Sequence, residues 1–241
     1  MMTTRAAPPA PPQSSGIPPL EQGDRLTRDE FERRFEAMPH IKKAELIEGV
    51  VNMAPPALRW DYHATPHAKL ITWLGTYEAA TPGVRTGDNA SVRLDLDNEP
   101  QPDVILMIEP TAGGQATISA DNYVEGAPEL VAEVSSSTVS IDLNDKLRAY
   151  RRNGVREYIV WRVQDRAIDW FTLSGSEYVP LTPDGSGILK NAIFPGLWLD
   201  PAAMLREDLA QVLRSLQQGL STPAHDSFAN ALAAKRSACD G

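Results

Sequence analysis

Leu130-Val131-Ala132-Glu133-Val134-Ser135 reads as a strand with a carboxylate inside it. Strand side chains alternate between faces, so Leu130, Ala132 and Val134 share one face and Val131, Glu133 and Ser135 the other. A carboxylate among apolar neighbours is costly unless a charge or hydrogen bonds meet it. A second acid, Asp103, opens the apolar run Pro102-Asp103-Val104-Ile105-Leu106-Met107. On neighbouring strands the two acids would repel unless a cation lay between them. Mg²⁺ needs oxygen ligands and takes only one or two protein carboxylates alongside its waters. An ion so held can polarise a phosphoryl oxygen and activate water. Phosphodiester hydrolysis also needs a cation or acid near the reacting oxygens. Lys146, on the helix that follows the Glu133 strand, is the candidate, with Tyr150 four residues on along the same face. Each residue has a plainer reading: a solvated turn acid, a Glu paired with an Arg, an exposed Lys. Their combination points to chemistry.

Working outward, the chain alternates helical and strand patterns. Thr27 and Glu30 form a capping-box pattern, with Phe31, Phe35 and Met38 on one face of a short helix. Glu45 to Met53 reads as a strand. Thr65-Pro66 starts a second helix, with Thr65 as its cap and Leu70, Ile71, Trp73, Leu74 and Tyr77 as its buried face. Strands follow at Ala90 to Leu96, Pro102 to Ile108 and Glu129 to Ser135. A helix over Asp142 to Arg152 closes at Asn153-Gly154. Val155 to Val163 and Ala167 to Leu173 form a hairpin whose aromatics, Tyr158, Trp161, Trp170 and Phe171, suit a core. A last helix covers Ala203 to Leu216. This order implies an α/β (α+β) domain, a mixed sheet flanked by helices. Residues 1–24, rich in Pro, read as a disordered tail, 25–218 as the domain and 219–241 as a flexible tail.

The chain has 241 residues and a formal net charge of −9. Proteins that hold DNA by its phosphates usually carry a basic surface. The charge therefore argues against tight non-specific DNA binding by the monomer, yet it leaves a nuclease open, since clustered site carboxylates add negative charge. Arg148, Arg151, Arg152 and Arg156 form the one local basic run, either a solvated helix end or a phosphate contact. No apolar run is long enough to span a bilayer, no signal-peptide pattern opens the chain, and the one cysteine, Cys239, suits a reducing compartment. The expectation is a cytoplasmic protein without a membrane partner. His63 and His67 have the i, i+4 spacing of helical metal ligands, but Pro66 at a helix start would place His63 outside that geometry. His67 alone could line the cleft.

Pro102-Asp103 followed by Glu133-Val134-Ser135 resembles the PD-(D/E)XK nuclease superfamily. The stretch Pro128 to Thr138, then Asp142, Lys146, Tyr150, Gly154-Val155 and Glu157-Tyr158, looks like its bacterial Uma-type branch of restriction-endonuclease-like proteins. Glu45-Leu46-Ile47-Glu48-Gly49 and His67 fit the same pattern, and the resemblance spans roughly residues 27–200. It implies a restriction-endonuclease-like core and cleavage of DNA dependent on Mg²⁺ (or Mn²⁺). By position, Asp103 and Glu133 would be metal ligands and Glu48 a further catalytic acid. Ser135 stands where the superfamily places a Lys, and in the Uma-type branch that cation has moved to the next helix, here Lys146. Cutting both strands with one small site would favour a homodimer. Two other readings remain open on the residues: an inactive nuclease fold that binds nucleic acid or a protein, and a hydrolase of small phosphate esters.

Overall fold

The computed structural model describes residues 16–53 and 59–239. In chain order, α1 (Arg28–Glu36) precedes a hairpin of β1 (Ala44–Ile47) and β2 (Val50–Met53), and a π turn (Trp60–Ala64) runs into α2 (Thr65–Ala80). Then come β3 (Val84–Asp88), β4 (Val92–Arg93), β5 (Val104–Ile108), β6 (Thr117–Ile118), β7 (Val124–Glu125) and β8 (Leu130–Ser135). A composite helix follows: α3 (Val139–Ile141), a second π turn (Asp142–Lys146) and α4 (Leu147–Asn153). The chain ends with β9 (Glu157–Arg162), β10 (Ala167–Ser174), β11 (Glu177–Pro180), β12 (Leu189–Lys190), β13 (Trp198–Leu199), α5 (Pro201–Leu205), α6 (Leu209–Leu220) and α7 (Pro223–Cys239).

The main sheet has six strands in the order β11-β10-β9-β8-β5-β3. β8 and β9 pair in parallel and every other pairing in it is antiparallel, so the sheet is mixed. The parallel pair needs a crossover between its strands, and the α3–α4 segment supplies it.

The period-2 reading of β8 holds. Leu130, Ala132 and Val134 join one core with Leu70, Trp73, Leu74 and Tyr77 of α2, while Val131 joins the opposite core with Tyr150, Tyr158 and Val160. A third cluster packs Phe31 of α1 on Ala44, Leu46 and Val51 of the hairpin. Each fully buried side chain of this size contributes about 1.5–3 kcal/mol of burial. The aromatics Tyr158, Trp161 and Trp170 are core residues, as expected.

Several local expectations differ. Thr27 precedes α1 but makes no side-chain cap, and Glu30 instead accepts from Arg33 and Arg34. Thr65 does not cap α2, because helical winding already began at Trp60. Within a helix Pro66 has no N–H to donate and its ring crowds the carbonyl four residues back; the wider π turn sits where that strain falls. Only Val92–Arg93 of the 90–96 run is strand. The last expected helix is split into α5 and α6, with Glu207 between them at a φ of 66°.

The boundaries move as well. Leu20, placed in the N-terminal tail by composition, is buried in the third cluster. Residues 1–15 of that tail lie outside the described residues. The expected flexible tail 219–241 contains α7, whose Leu232 is buried and whose buried His225 bonds Thr81 Oγ1 through Nε2 at 2.9 Å. An Ala-rich segment with few large apolar residues reads as loose until its partners on α2 are known.

Candidate active site

Asp103 stands immediately before β5, and Glu133 points from the middle of β8. The two strands pair through Val104 and Ala132, which sets the acids beside each other at the sheet end. The Asp103 N–H lies 3.4 Å from Glu133 Oε2, and the Val134 N–H donates to Asp103 Oδ2 at 2.8 Å. Both line one cavity of about 370 Å³, and each side chain is only 4% exposed.

Two lysines meet these acids. Lys146 Nζ, on the second π turn, donates to Glu133 Oε1 at 2.9 Å and Glu45 Oε1 at 2.8 Å, with Asp142 Oδ1 at 3.8 Å. Tyr150 Oη donates to the same Glu133 oxygen at 3.0 Å. The second lysine, Lys43, comes from the approach to β1 and donates to Asp103 Oδ1 at 3.2 Å. Its side chain is 27% exposed against 6% for Lys146, so Lys43 faces the cavity while Lys146 is enclosed. His63 Nε2, from the first π turn, lies 3.2 Å from Asp103 Oδ1. His67 Nε2 lies 3.0 Å from the Asp103 carbonyl oxygen and 3.1 Å from Asp88 Oδ1, bracing the start of β5 against β3. Single π turns within helices recur at functional sites, and both π turns here deliver side chains to the cavity.

Asp103, Glu133 and Lys146 thus come together as expected, and Glu48 does not. Ile47 pairs with Val50, leaving Glu48-Gly49 as a two-residue hairpin loop with φ of 52° and 72°. Positive φ at both positions is the type I′ pattern. It turns Glu48 away from the cavity to Arg152, whose Nη1 donates to Oε2 at 3.0 Å. Glu45, three residues earlier on β1, occupies the place expected for that acid. Sequence reasoning also missed Lys43, His63 and Asp142 as cavity residues. Alternation could have found Glu45, since Ala44 and Leu46 are core and Glu45 must face the other way. Three of the four arginines of the basic run are spent on carboxylates: Arg148 on Asp145, Arg151 on Glu177, Arg152 on Glu48 and Asp95, while Arg156 is exposed.

The electrostatics follow from the count. Four carboxylates (Asp103, Glu133, Glu45, Asp142) share two ammoniums (Lys43, Lys146), leaving two negative charges over. Burial raises Asp103, but the His63 bond, the Lys43 charge and the Val134 N–H outweigh it and hold the carboxyl well below the usual range. Glu133 goes the other way: burial, with Asp103, Asp142 and Glu45 nearby, pushes it to about 8 despite Lys146. Burial likewise raises Asp142. Burial disfavours the charged form of Lys146, yet Glu133, Glu45 and Asp142 keep it protonated far above its ordinary range. The lysine therefore keeps its proton, and the surplus negative charge makes Glu133 the group that takes one up.

A hard divalent cation fits this donor set. The ligand atoms on offer are carboxylate oxygens, and Glu133 Oε2 has only its one long contact, leaving lone pairs to give. Among the described residues no three His, Cys, Asp or Glu side chains form a ready cage. Mg²⁺, which keeps most of its waters, does not need one.

A mixed sheet flanked by helices, with Asp103 and Glu133 side by side on adjacent strands and Lys146 reaching Glu133 from the crossover helix, is a restriction-endonuclease-like arrangement. The family model Uma2, described as "Putative restriction endonuclease", matches residues 28–202, and the chain belongs to that family. Among solved structures, a putative nuclease belonging to DUF820 from Anabaena variabilis ATCC 29413 shares the fold at a TM-score of 0.50 and 12% identity. The match covers 78% of this chain and 97% of that one. No protein of curated function matches the chain. No described helix is long and apolar enough to cross a membrane.

Proposed function

We propose that the chain is a Mg²⁺-dependent (or Mn²⁺-dependent) endonuclease that hydrolyses DNA phosphodiesters. The observation that carries this reading is the buried Asp103–Glu133 pair lining one cavity, within a cluster in which four carboxylates share two lysines. Asp103 and Glu133 would hold the ion, which when bound supplies Lewis-acid polarisation of a phosphoryl oxygen and a more acidic water. Lys43, facing the cavity, neutralises a non-bridging phosphate oxygen. Enclosed Lys146 and the Tyr150 hydroxyl fix the Glu133 carboxylate, a positioning role that partners of a metal-ligating carboxylate ordinarily play. Glu45 and Asp142 hold Lys146 charged, and His63 orients Asp103.

The test is a plasmid-nicking assay with Mg²⁺ or Mn²⁺, run on wild type, Asp103→Ala and Glu133→Ala, with folding checked by circular dichroism. Nicking by wild type that both variants lose supports the reading. Folded wild-type protein that neither binds the ion nor nicks DNA sinks it.

A further inference from the structure

The first π turn carries more than His63. Tyr62 lines the carboxylate cavity and is 42% exposed, and its neighbour Trp60 is 75% exposed. The guanidinium of Arg59 sits 5.9 Å from the Tyr62 ring centroid. Elsewhere the large rings are put away: Trp73, Trp170, Tyr77, Tyr150 and Tyr158 are all fully buried. Among the described residues neither aromatic belongs to a core cluster, though Tyr62 lines the cavity.

We propose that Tyr62, flanked by Trp60 and Arg59, is a nucleobase-stacking subsite at the rim of the carboxylate cavity, and that the site acts on an unpaired DNA strand. The inference rests on the nuclease reading above and names its substrate. Depth supports it. Asp103 and Glu133 are nearly closed to solvent within about 370 Å³, the size of a small-molecule site rather than a duplex groove. A phosphodiester reaches them only if its own nucleotide enters, which a single strand permits and a paired one resists. Charge supports it as well. The net charge is −9, and Arg148, Arg151 and Arg152 are already paired with carboxylates, so the phosphate grip on which duplex binding depends is weak. Stacking on an aromatic face adds affinity beyond phosphate neutralisation, and it tolerates any base sequence because every base has a π face. Arg59 over Tyr62 adds a cation beside the stack and next to the backbone of the bound strand.

The experiment is fluorescence-anisotropy binding of a labelled dT oligonucleotide and of a duplex of equal length, in EDTA so that nothing is cut. Wild type should bind the single strand more tightly than the duplex. Tyr62→Ala should weaken single-strand binding about tenfold, the loss of one stacked base, while Tyr62→Phe keeps it. Trp60 emission should be quenched on binding. Equal affinity for the two forms, or unchanged binding by Tyr62→Ala, overturns the subsite. Cleavage measured in parallel keeps the two ideas apart. Tyr62-dependent binding without cleavage retains the subsite and fails the nuclease reading. Duplex cut equally by wild type and Tyr62→Ala retains the nuclease and fails the subsite.

Discussion

Mg²⁺ uptake should expel a proton from Glu133, and its affinity should climb with pH until that proton is gone. Burial among three other acids raises this carboxyl to about 8, so the metal-free protein holds the proton at and below neutrality. The direction follows: a raised carboxyl is neutral below its value, and a cation needs it bare. At pH 7 on the order of nine-tenths of the molecules carry the proton, and each further unit downward weakens binding about tenfold, or ~1.4 kcal/mol. Asp103, held far below the usual range, adds no slope between pH 5 and 9. Isothermal titration at pH 7 in two buffers of different ionisation enthalpy should therefore report about 0.9 proton released per ion. The dissociation constant should fall steeply as pH rises from 6 and level off once Glu133 has lost its proton. Glu133→Gln has no proton to give, and any binding it retains should be flat with pH. Tight binding by wild type with no proton release and no pH dependence would refute the charge count on which the site rests.

Two further outcomes test the frame around the site. Lys146→Met leaves Glu133, Glu45 and Asp142 without their shared cation, and urea unfolding at pH 8 should show a loss of about 3 kcal/mol. The loss should shrink at pH 5, where Glu133 takes up a proton; a variant as stable as wild type at pH 8 would show that the lysine does not hold the cluster. Removing residues 222–241 strips Leu232 and the His225–Thr81 bond from α2. Burial on that scale is about 2–4 kcal/mol, so the melting temperature should drop by roughly 5–15 °C, whereas a segment that is loose in solution would leave it unchanged.

What could be read from the sequence was whatever announced itself locally. Glu133 is conspicuous because it breaks a run whose other members alternate cleanly between two cores. Lys146 and Tyr150 are one helical turn apart, and both reach Glu133 Oε1. Lys43 had no such signal: its partner Asp103 is 60 positions away, and nothing in its own neighbourhood is periodic. Glu45 and Glu48 differ only by turn chemistry, and the Glu48-Gly49 pair between two apolar runs was the clue that settles them. His63 was set aside because Pro66 is ordinarily a helix start, whereas here the winding passes through it. α7 stayed hidden because its burial depends on a close fit. A Cβ at Gly83 would come within 3.3 Å of the Leu232 Cβ, a proximity no composition shows.

The two π turns place His63 and Lys146 by chain length rather than by any side chain. A π turn is an α-helix holding one residue too many, so trimming a residue from 60–64 or 142–146 lets the helix return to its ordinary winding. The residues within the turn would then change face, each residue being about 100° of helical winding. Substitution scanning is blind to such a determinant, since every single replacement preserves the count. Here the number of residues in a segment, and not only their identity, sets which side chains reach the cavity.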